Sequence, residues 1–223
     1  MKSTRILTLV LALVICFSAL LLSGCSKHNA PAFAELDFTA VDPAACVETD
    51  EVTNLVKLSV KDFGDIIIRL YPEAAPKTVA NFQMLVSEHF YDGLTFHRVM
   101  KDFMIQTGDP NGDGTGGSEK EIKGEFNING FENNLKHIRG TVSMARLGND
   151  NNSASSQFFI VHKTNSSASS LNGKYASFGY VIAGMDVVDA IASVPVVATE
   201  KGEMSIPKTA VTIDTIRFVK VAE

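Results

Sequence analysis

The chain has no tryptophan, only three cysteines in 223 residues, and no run of basic residues. Each shortage excludes something. Cys16, Cys25 and Cys46 are too few for a disulfide scaffold, and no Cys-x-x-Cys pair points to zinc or thiol redox chemistry. The fold must therefore stand on its apolar core. A formal charge of −5, without a basic stretch interleaved with aromatics, repels phosphate backbones, so nucleic acid is not an expected partner. Hydrophobic residues at 45% and charged residues at 20% place the chain among globular proteins. The length fits one ordinary domain with extensions, and no internal repeat is readable.

One long apolar run is present. Ile6 to Leu22 is broken only by Thr8 and Ser18 and follows Lys2 and Arg5, the pattern of an export signal. The run sits at the short edge of the roughly 17–25 residues that span a bilayer. The residues that follow, Leu22-Ser23-Gly24-Cys25, resemble the lipobox of bacterial lipoproteins. That resemblance implies a signal peptide over 1–24, cleavage before Cys25, and lipid on Cys25 as the new N-terminus. Loss of Lys2 and Arg5 would take the formal charge to about −7. The expected location is the outer face of the bacterial cytoplasmic membrane, or an outer-membrane leaflet where two membranes exist. Residues 25–52 read as a lipidated N-terminus and flexible linker, about 25 residues spanning roughly 25–30 Å. Cys46 is then a lone linker thiol.

From residue 53 the pattern changes, and the domain is expected over 53–223. Val56, Leu58 and Val60 alternate with polar neighbours as in a half-buried strand, and Ile66 to Leu70 reads as a second, more buried one. Pro76 can open a helix carrying Val79, Phe82, Leu85 and Val86 on one face, with Asp92-Gly93 as its end. Short β-like runs follow over 95–99, 103–107, 140–145, 157–162 and 177–182. A second helix is expected over 185–193 and a last strand over 211–219. Many short strands with two helices argue for a mainly β domain, closed into a barrel and capped at its ends.

The chemistry-bearing residues come as an ordered series. Phe96-His97-Arg98-Val99 precedes Phe103-Met104-Ile105-Gln106, Gly108-Asp109 and Gly114-Thr115-Gly116-Gly117. Ser143-Met144-Ala145, Ser156-Gln157-Phe158-Phe159-Ile160, Leu171-Asn172-Gly173 and Phe178-Gly179 follow. In this order and spacing the set resembles the cyclophilin family of peptidyl-prolyl isomerases over about residues 53–220. The resemblance implies a closed eight-stranded antiparallel barrel with a helix over each end and a site on its outer face. Mapped by motif, Arg98 takes the place of the catalytic arginine, with Phe103 and Gln106 beside it. Phe103, Met104, Phe159 and Leu171 match the walls of the proline pocket. Gln106, Ala145 and the backbone of Arg146 match groups that hold the substrate chain.

These residue types suit the implied reaction. Amide resonance sets a barrier near 18–20 kcal/mol, although trans is preferred at X-Pro by only about 0.5–1 kcal/mol. A guanidinium donating to the twisted amide favours it over the planar one, while apolar walls grip the ring. No covalent bond changes, so no nucleophile, metal or cofactor is called for. The expected partners are X-Pro segments of unfolded or exported polypeptides, bound by a monomer. A membrane-tethered peptide-binding chaperone module with little turnover is the competing expectation.

Three positions depart from the family pattern. Ser170 stands where members that bind cyclosporin tightly carry tryptophan, so weak binding of that drug is expected. Tyr175 stands in place of a pocket histidine, and Arg146 in place of a common asparagine. His97, His137 and His162 are expected to be hydrogen-bonded structural residues, His28 and His89 exposed, and Ser166–Ser170 a loop. Asp109, Asn111, Asp113 and Gly114 imitate a calcium loop, but Lys120 stands where its last ligand belongs.

Overall fold

The computed structural model describes residues 29–222, so the expected signal peptide, the lipid site Cys25 and His28 lie outside the described residues. The strands are β1 (Cys46–Glu48), β2 (Leu55–Val60), β3 (Gly64–Leu70), β4 (Arg98–Met100), β5 (Met104–Thr107), β6 (Thr141–Met144), β7 (Phe158–Val161), β8 (Ser177–Ala183), β9 (Val196–Ala198), β10 (Met204–Pro207) and β11 (Ile213–Val221). Among the described residues three α-helices accompany them: α1 (Pro76–Ser87), α2 (Ser166–Ser169) and α3 (Met185–Ala192). Nine strands form one antiparallel sheet in the order β1-β11-β2-β3-β8-β6-β7-β5-β4, and β9 and β10 form a separate hairpin.

The mainly β, antiparallel character agrees with the sequence, but the ladder runs through nine strands with β1 and β4 at its ends. The segment entering β4 returns to the one entering β11 through the isolated bridge Thr95–Thr212. There, Phe96 N–H donates to the Val211 carbonyl at 2.9 Å, and Ile213 N–H to that of Leu94 at 2.8 Å.

The core lies on the inner face of the sheet. Val56, Leu58 and Val60 of β2 are buried while their neighbours are half-exposed, as the two-residue period requires. Helix α1 buries Val79, Phe82, Leu85 and Val86, and α3 buries Val187, Val188 and Ile191. Phe82, Tyr91 and Phe158 meet with ring centroids 5.3–5.5 Å apart, the spacing at which edge-to-face aromatic contacts are favourable. Ala75 cannot cap α1. The buried carboxylate of Glu125 does so instead, accepting from the N–H of Thr78 at 2.8 Å and of Lys77 at 3.1 Å.

Three expectations need correction. Helix α1 ends at Ser87, ahead of Asp92-Gly93, because His89 turns into the left-handed region at φ 55. The serine-rich stretch is a short helix rather than a loop, since the Asn165 side chain accepts the Ala168 N–H at 3.0 Å and caps it. The stretch read as a flexible linker is largely docked. Phe33, Leu36 and Phe38 pack on Tyr71, Ala74, Leu135 and Tyr180, and Tyr71 Oη donates to the Asp37 carbonyl at 2.6 Å. Further on, Cys46 to Glu48 adds β1 to the edge of β11. Aromatic residues without helical or strand period gave no sign of this arm, yet each finds an apolar partner. Cys46 is a half-buried free thiol whose pKa is raised, first by burial and then by Asp42.

Candidate active site

Strand pairing assembles the site. Arg98 of β4 stands opposite Gln106 of β5, Gln106 opposite Phe159 of β7, and Phe159 opposite Ser143 of β6. Residues paired directly across an antiparallel sheet share a face, so one row crosses four strands. Met104, two residues before Gln106, shares that face. Val99, Ile105, Phe158 and Ile160 alternate with the row and enter the main core. On the outer face, Met104, Phe159, Val161 and Ala168 form a separate cluster with Met100, Phe103, Ala145, Leu171 and Tyr175 packed against it.

Arg98 and part of this cluster line one groove, whose volume is about 980 Å³. Arg98, Phe103, Met104, Gln106, Ala145, Arg146, Phe159, Leu171 and Tyr175 all border it. Met104 and Phe159 form a dry floor, 1% and 5% exposed. Tyr175 stands edge-on to Phe159 at 6.2 Å. The Arg146 side chain lies over the Tyr175 ring at 4.5 Å and the Phe126 ring at 5.3 Å, and donates to the carbonyl of Lys174. It braces one end of the groove. Ala145 spends its N–H on the Gln157 carbonyl at 2.9 Å. Ser170 is exposed and turns its hydroxyl back to the Ser167 carbonyl at 2.7 Å.

Polar groups are held in a chain along the groove. Arg98 Nη1 donates to Gln106 Oε1 at 3.3 Å, Gln106 Nε2 to Gln157 Oε1 at 2.8 Å, and Gln157 Nε2 to the Gly116 carbonyl at 2.7 Å. The glycine loop at its end is folded by Asp109. Its carboxylate accepts the N–H groups of Asn111, Asp113 and Gly114 at 2.8, 3.1 and 2.5 Å. A Cβ on Gly116 would lie 2.2 Å from Asp109 Oδ1, so only glycine fits there. The acidic residues that imitate a calcium loop are thus committed to backbone donors, and among the described residues no cluster of three or more metal-ligating side chains occurs.

His137 packs against the floor. Its ring stacks on Phe159 at 6.0 Å, with Nδ1 3.1 Å from Asn172 Oδ1 and Nε2 3.0 Å from Ser143 Oγ. An amide oxygen only accepts, so Nδ1 carries the proton and Nε2 accepts from the serine. Burial holds the His137 pKa down to about 4. His162 accepts the Asp102 N–H at 3.0 Å. His97 departs from expectation: it borders the groove, is 8% exposed, and neither ring nitrogen meets a hydrogen-bond partner. Burial lowers its pKa, which keeps the ring neutral where an imidazolium would be costly.

One side of the groove was not foreseen. Thr199, Glu200, Lys201, Glu203, Ser205 and Ile206, from the β9–β10 hairpin, border it as well. Glu203 pairs with Arg98, Oε1 to Nε at 2.6 Å and Oε2 to Nη2 at 2.8 Å. The two are 105 residues apart, and the short apolar runs around Glu203 carry no period that announces a hairpin.

Comparison with known proteins identifies the family and the fold. The family model "Cyclophilin type peptidyl-prolyl cis-trans isomerase/CLD" matches residues 55–217. The chain is 42% identical over 178 residues to a probable peptidyl-prolyl cis-trans isomerase of Brucella suis, covering 74% of this chain and 84% of that protein. It is 45% identical over 159 residues to isomerase cyp15 of Rhizopus delemar, covering 71% of this chain but only 24% of that longer protein. A Cryptosporidium parvum cyclophilin crystallised in the presence of the dipeptide Ala-Pro superposes with a TM-score of 0.63 at 30% identity, covering 74% of this chain and 98% of that one. By its matched domain and by the groove it builds on the outer face of its sheet, the chain belongs to the cyclophilin-type peptidyl-prolyl cis-trans isomerase family.

Proposed function

We propose that this protein accelerates cis–trans rotation of X-Pro bonds in exported polypeptides, using Arg98 beside the apolar notch of Phe103, Met104 and Phe159. The observation that carries the reading is that pairing: a fixed guanidinium on the same face as a dry, aromatic-floored recess. The recess takes the proline ring, whose transfer out of water favours binding in cis and trans alike. Rotation breaks the conjugation of the amide and leaves the prolyl nitrogen pyramidal and more basic. Arg98 donates to the twisted form more strongly than to either planar one. Gln106 shares the Arg98 fork and keeps a polar edge beside the recess. The backbone of Arg146 and Ala145 flank the passage of the substrate chain.

The sheet is read as closed on itself, with the Thr95–Thr212 bridge as its seam, so the floor rests on a wall with no free edge beneath it. Anchoring by lipid on Cys25 at the outer face of the membrane is part of the same reading, supported by the lipobox-like sequence. Among the described residues no helix is long and apolar enough to cross a membrane. Because the chain is docked from Phe33, the eight residue steps from Cys25 reach at most about 28 Å, against roughly 90 Å for 25 free residues fully extended. The test of activity is exchange spectroscopy on a short Ala-Pro peptide. Exchange cross-peaks must grow on adding the wild-type protein, and equal exchange with and without it refutes the reading.

A further inference from the structure

Arg98 has five N–H groups, and the fold engages four of them. Nε donates to Glu203 Oε1 at 2.6 Å and Nη2 to Oε2 at 2.8 Å, while Nη2 also meets Met100 Sδ at 3.1 Å and Nη1 meets Gln106 Oε1 at 3.3 Å. The fifth N–H is also on Nη1, the nitrogen beside Gln106. The carboxylate therefore grips the side of the fork away from Gln106 in a bidentate pairing, which fixes the plane of the guanidinium as a single contact would not.

The hairpin is built to hold Glu203 still. Gly202 adopts φ +85, a conformation glycine takes without penalty, and its N–H donates to the Thr199 carbonyl at 2.9 Å. Thr199 N–H donates to the Glu203 carbonyl at 2.8 Å, and Glu203 N–H to Thr199 Oγ1 at 3.1 Å. Both backbone groups of Glu203 are thus pinned, and buried Ser205 seats the hairpin two residues on. The Arg98 hydrogen bond draws the Glu203 pKa down to about 2, burial opposes this, and the Ser205 hydroxyl adds to the fall. The carboxylate is charged at neutral pH.

We infer that Glu203 is a positioning residue for the isomerisation, holding the Arg98 guanidinium so that its Nη1 edge presents to the substrate amide. The inference rests on the assignment of Arg98 above and deepens it. It makes the β9–β10 hairpin part of the catalytic apparatus rather than a surface excursion. A positioned donor costs no reorganisation when the amide twists, whereas a swinging one must be ordered first.

The test compares Glu203→Ala and Glu203→Gln, each also in an Arg98→Ala background, by exchange spectroscopy with an Ala-Pro peptide. Glu203→Ala is expected to lower kcat by about tenfold, the scale of one partly exposed charged contact, with peptide Kd changed less than about twofold. Glu203→Gln, which keeps one acceptor, falls between. The Arg98 Nε–H resonance should be sharp in the wild type and broaden in Glu203→Ala. In the Arg98→Ala background, removal of Glu203 should change nothing further. A rise in kcat on Glu203→Ala would show the carboxylate to be an inhibitory counter-ion and overturn the inference. So would no change, or an equal loss with Arg98 already removed. If Arg98→Ala alone matches the wild type, it is the underlying assignment of Arg98 that fails. Far-ultraviolet circular dichroism of each variant separates loss of fold from loss of positioning, and Glu203→Gln carries the test should the alanine variant unfold.

Discussion

The two faces of strands β4, β5 and β7 make a direct contrast. Val99, Ile105, Phe158 and Ile160 point inward, at most 1% exposed, and join the main core. Arg98, Met104, Gln106 and Phe159 alternate with them and point to the groove. One backbone buries one row in the core and turns the other to the groove, because a strand's side chains change face at every residue. The difference teaches where each kind of damage should fall. Inward changes should cost folding free energy with the site's chemistry intact in whatever remains folded. Outward changes should cost binding or turnover while the fold persists.

That contrast can be broken or sharpened by substitution. The largest effect is expected for Phe158→Ala, which leaves a cavity among Phe82 and Tyr91 and should cost roughly 3–5 kcal/mol in urea unfolding. Arg98→Ala should lower kcat by roughly 10²–10³, the loss typical of a donor aimed at developing charge, while the thermal midpoint moves by no more than about 2 °C. Phe159→Ala should weaken Ala-Pro peptide binding by about tenfold through loss of the pocket floor, measured by titration.

Acid should act through His137, which packs on Phe159 and Ser143 of the outward row. Its folded pKa of about 4 lies below the ordinary histidine value of 6.5 because burial disfavours the charged ring. The unfolded chain therefore binds the extra proton first, and stability falls as pH drops from about 6.5 towards about 4, then levels off for this group. Urea midpoints taken across that window should show the slope, and a His137→Gln variant should show less of it. The smallest effect is expected for Arg146→Ala, about 0.5–1 kcal/mol, from the lost contacts with the faces of Tyr175 and Phe126.

Much of this was legible because apolar period and burial agree. The alternation at Val56, Leu58 and Val60 and the helical faces at Val79–Val86 and Val187–Ile191 marked the core, and the ordered motif series marked Arg98, Met104, Gln106 and Phe159. What escaped notice was set by tertiary contact. The hairpin's Val197, Met204 and Ile206 are exposed, so they lack the amphipathic pattern that burial imposes. The grip of Glu203 on Arg98 depends on a turn and on the register beside β4. The arm of Phe33, Leu36 and Phe38 reads as linker until Tyr71 and Tyr180 stand beneath it. Asn165 ahead of Ser166 was a readable cap signal for α2.

One paired measurement separates grip from catalysis at Arg98. Peptide Kd by titration and cis–trans exchange rate at saturation are taken on the same samples of wild type and Arg98→Ala. The predicted result is a Kd within about threefold and an exchange rate lower by roughly 10² or more. A loss of affinity as large as the loss of rate would mean that Arg98 only binds, and an unchanged rate would mean that it does not catalyse at all.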